Sequence, residues 1–247
     1  MRLSDRLHMV ADMVPVCNTV ADVGCDHAYL SVWLLREGKA EKALACDVRK
    51  GPLAKAKETI RFFHMQERAQ TILCDGLAGL KPGDAQVIVM AGMGGELTNR
   101  ILSEGSDVAK AADVLILQPQ SDWELVRRRV YSLGFVIKDE NCVYEDGKYY
   151  LCMRAVKPAS AGNGSGLCGC AGTAVPYETW EYRYGRILPA KKDVTYLAWL
   201  TEECGKKTAM VERLLAADTT LAKERLSSAA EELRGITEVI KRMIESA

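Results

Sequence analysis

At 247 residues, 48% apolar and 27% charged, the chain has the composition of an ordinary globular protein with room for one α/β domain and a smaller appendage. Lys and Arg number 33 and Asp and Glu also 33, and the balance is local: 21 of each in residues 1–157 and 12 of each in 177–247. That excludes a partner held by bulk positive charge, so any nucleic-acid contact must rest on local patches. The nine cysteines form no CxxC pair and only three His are present, so no metal site is expected. With no signal-peptide core and no membrane-length apolar run, the expectation is a cytoplasmic protein with reduced thiols and no membrane partner.

In chain order, residues 3–14 place Leu3, Leu7, Val10 and Val14 at helical spacing, and Pro15 ends that helix. A repeating pattern follows. Strands are expected at 19–23, 42–47, 71–73, 87–90 and 114–117, with helices at about 28–37, 52–63, after Gly95, and at about 121–132. Short, almost wholly apolar strands alternating with helices predict a parallel sheet covered on both faces. Residues 135–144 and 148–156 flank Glu145-Asp146-Gly147, an Asp-Gly turn signal that predicts a closing hairpin. Five βα units ending in an antiparallel hairpin are how the methyltransferase variant of the doubly wound, Rossmann-like α/β fold finishes. Classical nicotinamide-binding domains usually do not.

Residues 158–176, rich in Gly, Ala, Ser and Pro, predict a flexible linker between a domain at 1–157 and a helical domain at 177–247. In the latter, Leu197, Leu200, Cys204, Val211 and Leu214 fall on three- and four-residue steps, with Lys207 in one expected apolar place. Leu226, Ala229, Leu233, Ile236, Ile240 and Met243 repeat the pattern. The registers are offset around Asp218-Thr219-Thr220, where Asp or Thr can cap a new helix, so two antiparallel helices zipped as a coiled-coil hairpin are expected. One continuous helix is the alternative.

The chemistry concentrates at strand ends. Asp22-Val23-Gly24-Cys25-Asp26-His27-Ala28-Tyr29-Leu30 directly follows the first strand. Glycine there lets backbone approach a ligand, and the helix beyond offers free N–H groups to a carboxylate. The GxGxxG fingerprint is absent, which suits a cofactor with a carboxylate and no pyrophosphate, such as S-adenosylmethionine. Asp47 ends the second strand, where an acid can hold ribose hydroxyls, and Asp75-Gly76 ends the third, where a carboxylate can accept an adenine amino group. Singly each acid reads as a loop charge or a helix cap. Three at successive strand carboxyl ends mark the edge where open α/β sheets bind ligands. Ala91-Gly92-Met93-Gly94-Gly95 follows the fourth strand, either as bare backbone leaving room for a substrate or as a tight loop needing positive φ. Gln118-Pro119-Gln120 follows the fifth, as amides reading a base edge or as a polar cap.

The segments LSDRL, ADVGCDHAYL, AGMGG and LILQPQ, in this order and spacing, resemble the bacterial tRNA (adenine-22-N1)-methyltransferase family, often called the TrmK family, over roughly residues 1–157. The resemblance implies a class I methyltransferase fold, S-adenosylmethionine as donor with S-adenosylhomocysteine as product, and an adenine of the tRNA D-arm, position 22, as acceptor. Cofactor contacts then fall on Asp22, Gly24, Asp47, Asp75, Gly76, Ala91, Gly92 and Met93, and acceptor contacts on Gly94, Gly95, Gln118, Pro119 and Gln120.

Adenine N1 has an in-plane lone pair, so catalysis can be mostly alignment, with a carboxylate stabilising the cationic product ring. Asp26 is the candidate, with His27 or Tyr29 orienting it or stacking on the base. The alternative is that Asp26 only caps the next helix and His27 is structural. No NPPY-type tetrad follows the fourth strand, which argues against N6 methylation. Arg2, Arg6, Arg49, Lys50 and the run Arg127-Arg128-Arg129 are the expected phosphate contacts, with Lys191-Lys192 and Lys206-Lys207 on the tail either gripping tRNA or solvating helix faces. Two other functions compete: a methyltransferase for a non-RNA acceptor, and a non-catalytic RNA-binding scaffold that keeps a vestigial cofactor fold. Protein partners are unknown.

Overall fold

The structure is a computed structural model that describes residues 1–158, 178–217 and 219–245. Apart from Pro158, the expected linker lies outside the described residues. The chain divides into two compact units between residues 176 and 177.

The first unit runs α1 (Asp5–Met13), β1 (Cys17–Val23), α2 (Tyr29–Arg36), β2 (Ala40–Asp47), α3 (Lys50–Phe62), β3 (Ala69–Leu73), β4 (Val87–Met93), α4 (Gly95–Glu104), α5 (Ser106–Ala111), β5 (Val114–Pro119), α6 (Trp123–Ser132), β6 (Val136–Glu145) and β7 (Lys148–Val156). The seven strands lie in the order β3-β2-β1-β4-β5-β7-β6. The first five are parallel, and β7 runs antiparallel to both β5 and β6. β4 and β5 are buried along their apolar runs because helices cover both faces, which is why they read as unbroken hydrophobic stretches. The strand order reverses between β1 and β4, and the crevice at that switch point opens at the carboxyl ends of the parallel strands.

Helix α1 is fixed at both ends. The Ser4 hydroxyl accepts the Leu7 N–H at 3.3 Å, and Lys39 Nζ donates to the carbonyls of Ala11, Asp12 and Val14 at 2.9–3.1 Å. Its buried side chains, Met9, Val10, Ala11 and Met13, join α2 and the sheet in one core cluster. Helix α5 was not expected: six residues after Gly105 are too few for a periodic signal.

The second unit contains α7 (Thr179–Tyr184), α8 (Ile187–Lys191), α9 (Val194–Ala216) and α10 (Thr220–Glu245). The last two are separate helices packed antiparallel, with Cys204 opposite Thr237 and Lys207 ion-paired to Glu232. The Thr219 hydroxyl accepts the Ala222 N–H at 3.2 Å, capping the second of them. Leu200, Ala229, Ile236 and Met243 are buried along the seam. Lys207 occupies its odd place because Glu232 answers its charge, while Arg183 binds the same carboxylate at 2.8 Å. Lys206 is bonded to Glu203 at 2.7 Å. Helices α7 and α8 were also too short to read. Tyr184 reaches the Glu232 carbonyl at 3.2 Å, and Tyr196 Oη donates to the Tyr184 carbonyl at 2.5 Å.

Candidate active site

The carboxyl ends of β1 to β5 surround a cleft of about 570 Å³. Its walls include Gly24 and Asp26 after β1, Asp47, Val48 and Arg49 after β2, Cys74, Asp75 and Gly76 after β3, and Ala91, Gly92 and Met93 at the end of β4. Arg6 of α1, Leu97, Arg100 and Ile101 of α4, and Gln120 also line it.

The loop from Gly24 to Ala28 is shaped by three residues in the left-handed region: Gly24 (φ +76°), Asp26 (φ +49°) and Ala28 (φ +57°). Gly24 and Cys25 both donate to the Cys46 carbonyl, at 2.8 and 2.9 Å, which pins the loop across β2. A Cβ on Gly24 would overlap Met93 Cε. Two non-glycine residues at positive φ in five positions are strain that the surrounding contacts must hold, and such strain collects at functional sites. The residue capping α2 is Ala28, with no side-chain cap bond, so capping does not account for Asp26. The Asp26 carboxylate is 67% exposed, with His27 Nε2 3.7 Å from Oδ1. His27 and Tyr29 stack on each other at 5.6 Å outside the cleft wall.

The three strand-end acids differ. Asp22 is buried behind the wall, where Oδ2 accepts the Ser31 hydroxyl at 2.7 Å; loss of solvent pushes its carboxyl up to about 6. It supports the loop rather than lining the cleft. Asp47 lies in the cleft with its side chain 5% exposed, and Oδ1 accepts the Arg49 N–H at 2.8 Å. Asp75 is held by a two-bond fork from Arg100, at 3.1 and 3.2 Å. Arg100 was not anticipated, since it stands on α4, remote in sequence. Cys46 also lines the cleft beside Cys74; the hydrogen bond between the two sulfurs, and after it burial, raise the Cys46 thiol, while the same bond lowers the Cys74 thiol.

On the acceptor side the glycines divide. Gly92 (φ +83°) lies beneath Arg6, whose Nη1 would sit 3.4 Å from a Cβ there. Gly95 is a packing glycine: a Cβ would overlap the Ser121 carbonyl. Gly94 precedes α4 as its cap residue. Gln118 is fully buried, so it cannot lie open to a base edge; Oε1 instead accepts Arg6 Nη1 at 2.9 Å and the Gly92 N–H at 3.1 Å. Pro119 is buried and its carbonyl accepts Trp123 Nε1 at 2.9 Å. Gln120 is exposed, at the cleft. Arg2 is exposed, and Arg6 both lines the cleft and lies over the Tyr150 ring at 5.5 Å.

The arginine run needs correction. Arg127 is buried and ion-paired to Glu140 at 2.8 Å, so it cannot meet a phosphate. Arg128 pairs with Glu124 at 2.7 Å, and Arg129 Nε donates to Asn99 at 2.8 Å. Their spacing on α6 turns Arg127 inward with Val126 and Val130.

Comparison with known proteins agrees with this geometry. The methyltransferase domain family matches residues 3–153. The chain is 32% identical to the tRNA (adenine(22)-N(1))-methyltransferase of Bacillus subtilis over 97% of this chain and 98% of that protein. The crystal structure of the B. subtilis m1A22 tRNA methyltransferase TrmK superposes with a TM-score of 0.83 at 31% identity, covering 97% and 99% of the two chains. A Streptococcus pneumoniae protein solved in complex with S-adenosyl-L-methionine superposes with a TM-score of 0.81 at 28% identity, covering 97% and 100%. The cleft thus lies in a chain that belongs, along nearly its whole length, to the tRNA (adenine(22)-N(1))-methyltransferase family.

Proposed function

We propose that this protein transfers a methyl group from S-adenosylmethionine to N1 of an adenine in tRNA, at position 22 as in its B. subtilis relative. The observation that carries the reading is the convergence of Gly24, Asp47 and Asp75 on one cleft in a chain with full-length similarity to that enzyme.

The cleft suits the donor. Gly24 leaves the wall bare where a Cβ would intrude, and Asp47 keeps one carboxylate oxygen for ribose hydroxyls after the other accepts the Arg49 N–H. The fork from Arg100 holds Asp75 where it can accept an amino group, and Val48 and Leu97, 60% and 41% exposed, offer apolar surface to a base. When bound, S-adenosylmethionine supplies an electrophilic methyl group on a sulfonium.

Adenine N1 attacks with its in-plane lone pair, so no residue needs to remove a proton first. The chain's work is alignment and electrostatics. Gly92 and Gly94 leave room for the acceptor beside β4, and Asp26 stabilises the positive charge that grows on the ring as the N1–methyl bond forms. His27 and Tyr29, stacked at the rim, support that carboxylate. Arg2 and Arg6 meet backbone phosphates next to the flipped nucleotide. A tRNA acceptor places the protein in the cytoplasm; among the described residues, no helix is long and apolar enough to cross a membrane.

The test is incubation with unmodified tRNA and S-adenosylmethionine, followed by nucleoside mass spectrometry. One equivalent of 1-methyladenosine is expected; N6-methyladenosine, or no methylated adenosine, overturns the reading.

A further inference from the structure

The turn end of the β6–β7 hairpin carries three tyrosines that the reading above does not use. Strand β7 runs antiparallel to β5 with Leu117 opposite Met153. Tyr150 and Tyr149 precede Met153 by three and four residues, so they project beyond the carboxyl end of β5, on the acceptor side of the cleft. Tyr144 and Tyr149 are register partners on one face, with ring centroids 4.6 Å apart and planes at 51°. Tyr144 is 55% exposed. Tyr150, on the other face, carries the Arg6 guanidinium, which lines the cleft, so the hairpin end adjoins the site through that ring.

We propose that this hairpin end is a stacking surface for the unpaired RNA bases that flank the target adenine. The proposal rests on the tRNA reading. N1 lies on the pairing edge of adenine, so the base must leave its stack to reach the cleft, and its neighbours each lose a stacking partner. Aromatic rings at the lip replace that partner without regard to sequence. The local charge favours bases over phosphates: Asp146 and Lys148 offset each other across the turn, and Glu145 is engaged by the Asp5 N–H at 2.6 Å. A ring as exposed as Tyr144 adds little to the core.

The test is steady-state kinetics on an unmodified tRNA transcript with Tyr144→Ala, Tyr149→Ala, Tyr144→Phe and Tyr144→Leu, each with its melting temperature and its affinity for S-adenosylmethionine. Both alanine variants should raise KM for tRNA by roughly 5- to 150-fold, the range for one lost base–aromatic stack, and leave donor affinity unchanged. Phe should behave as wild type, since stacking needs the ring and not the hydroxyl. Leu, which keeps apolar bulk but no ring, should match Ala in KM at wild-type melting temperature. Wild-type KM in both alanine variants or in Leu, or a Phe variant as weak as Ala, overturns the proposal. Wild-type enzyme that forms no 1-methyladenosine overturns the functional reading instead.

Discussion

Arg6 Nη1 and the Gly92 amide share one acceptor, the buried Oε1 of Gln118, at 2.9 and 3.1 Å. Helix α1 is thereby tied to the ends of β4 and β5, and a cation is held at the mouth of the cleft. Arg6→Ala should weaken tRNA binding and lower the slope of log affinity against log salt by about one, the share of a single phosphate contact, with donor affinity unchanged. Filter binding across a salt series checks this; superimposable curves for variant and wild type would remove Arg6 from the interface.

Gln118→Leu removes the shared acceptor and strands two donors. A buried donor without a partner costs about 1–3 kcal/mol, so melting should fall by several degrees, and tRNA KM should rise as Arg6 loses its anchor. Thermal unfolding and kinetics together check the pair. A variant with a lowered melting temperature and wild-type KM would mean that Arg6 needs no such anchor.

Arg127→Ala should act on stability and not on RNA. Removing one member of the buried pair with Glu140 takes the guanidinium away from a buried carboxylate, at a cost of about 3–5 kcal/mol. Calorimetric melting should therefore shift by roughly 10 °C, with tRNA affinity of the folded protein retained. Unchanged melting with weakened tRNA binding would return Arg127 to the surface.

That contrast shows what the sequence could and could not disclose. Strands β4 and β5 were readable because burial on both faces makes most of their length apolar, β1 and β2 because their carboxyl-terminal halves are buried, and the half-exposed edge strand β3 only through Thr71-Ile72-Leu73. The β6–β7 hairpin was readable because Asp146-Gly147 forms its turn. Strand-end acids were readable as a set, since the βα repeat carries each to the same edge. Their differences were not: Asp22 is turned inward by Ser31, nine residues on, and Asp75 is forked by Arg100, 25 residues on. Gln118 read as an amide for a base edge or as a polar cap because nothing nearby in sequence announces Arg6, 112 residues away. Three successive arginines resemble a surface, although helical spacing puts the first on the same inward side as Val126 and Val130.

Asp22→Asn should stabilise the protein in a pH-dependent way. Burial raises the folded carboxyl to about 6 from an ordinary 3.8. The folded state therefore holds a proton that the unfolded state releases, and stability is lost as pH rises from about 4 to about 6. Asparagine, which still accepts from Ser31, removes that loss. Its advantage over wild type should grow across this window and level off above it at about 2–3 kcal/mol. Denaturant titrations at pH 4, 5, 6 and 8 check the trend; an advantage independent of pH would mean that Asp22 is ionised at ordinary cost.

Gly24→Ala should weaken donor binding by about tenfold, because φ of +76° disfavours any side chain and the new methyl displaces Met93 into the cleft. Equilibrium dialysis with labelled S-adenosylmethionine reads it. An alanine variant that binds as wild type would show that the donor does not approach this backbone.

Calorimetric titration of S-adenosylmethionine into the wild-type protein and into Asp47→Ala bears most directly on the assignment of the cleft. Wild type should bind one equivalent, and the variant, stripped of its ribose acceptor, should bind at least tenfold more weakly with its fold intact. Equal binding by both proteins, or no heat from either, would contradict the claim that the carboxyl edge of this sheet holds the methyl donor.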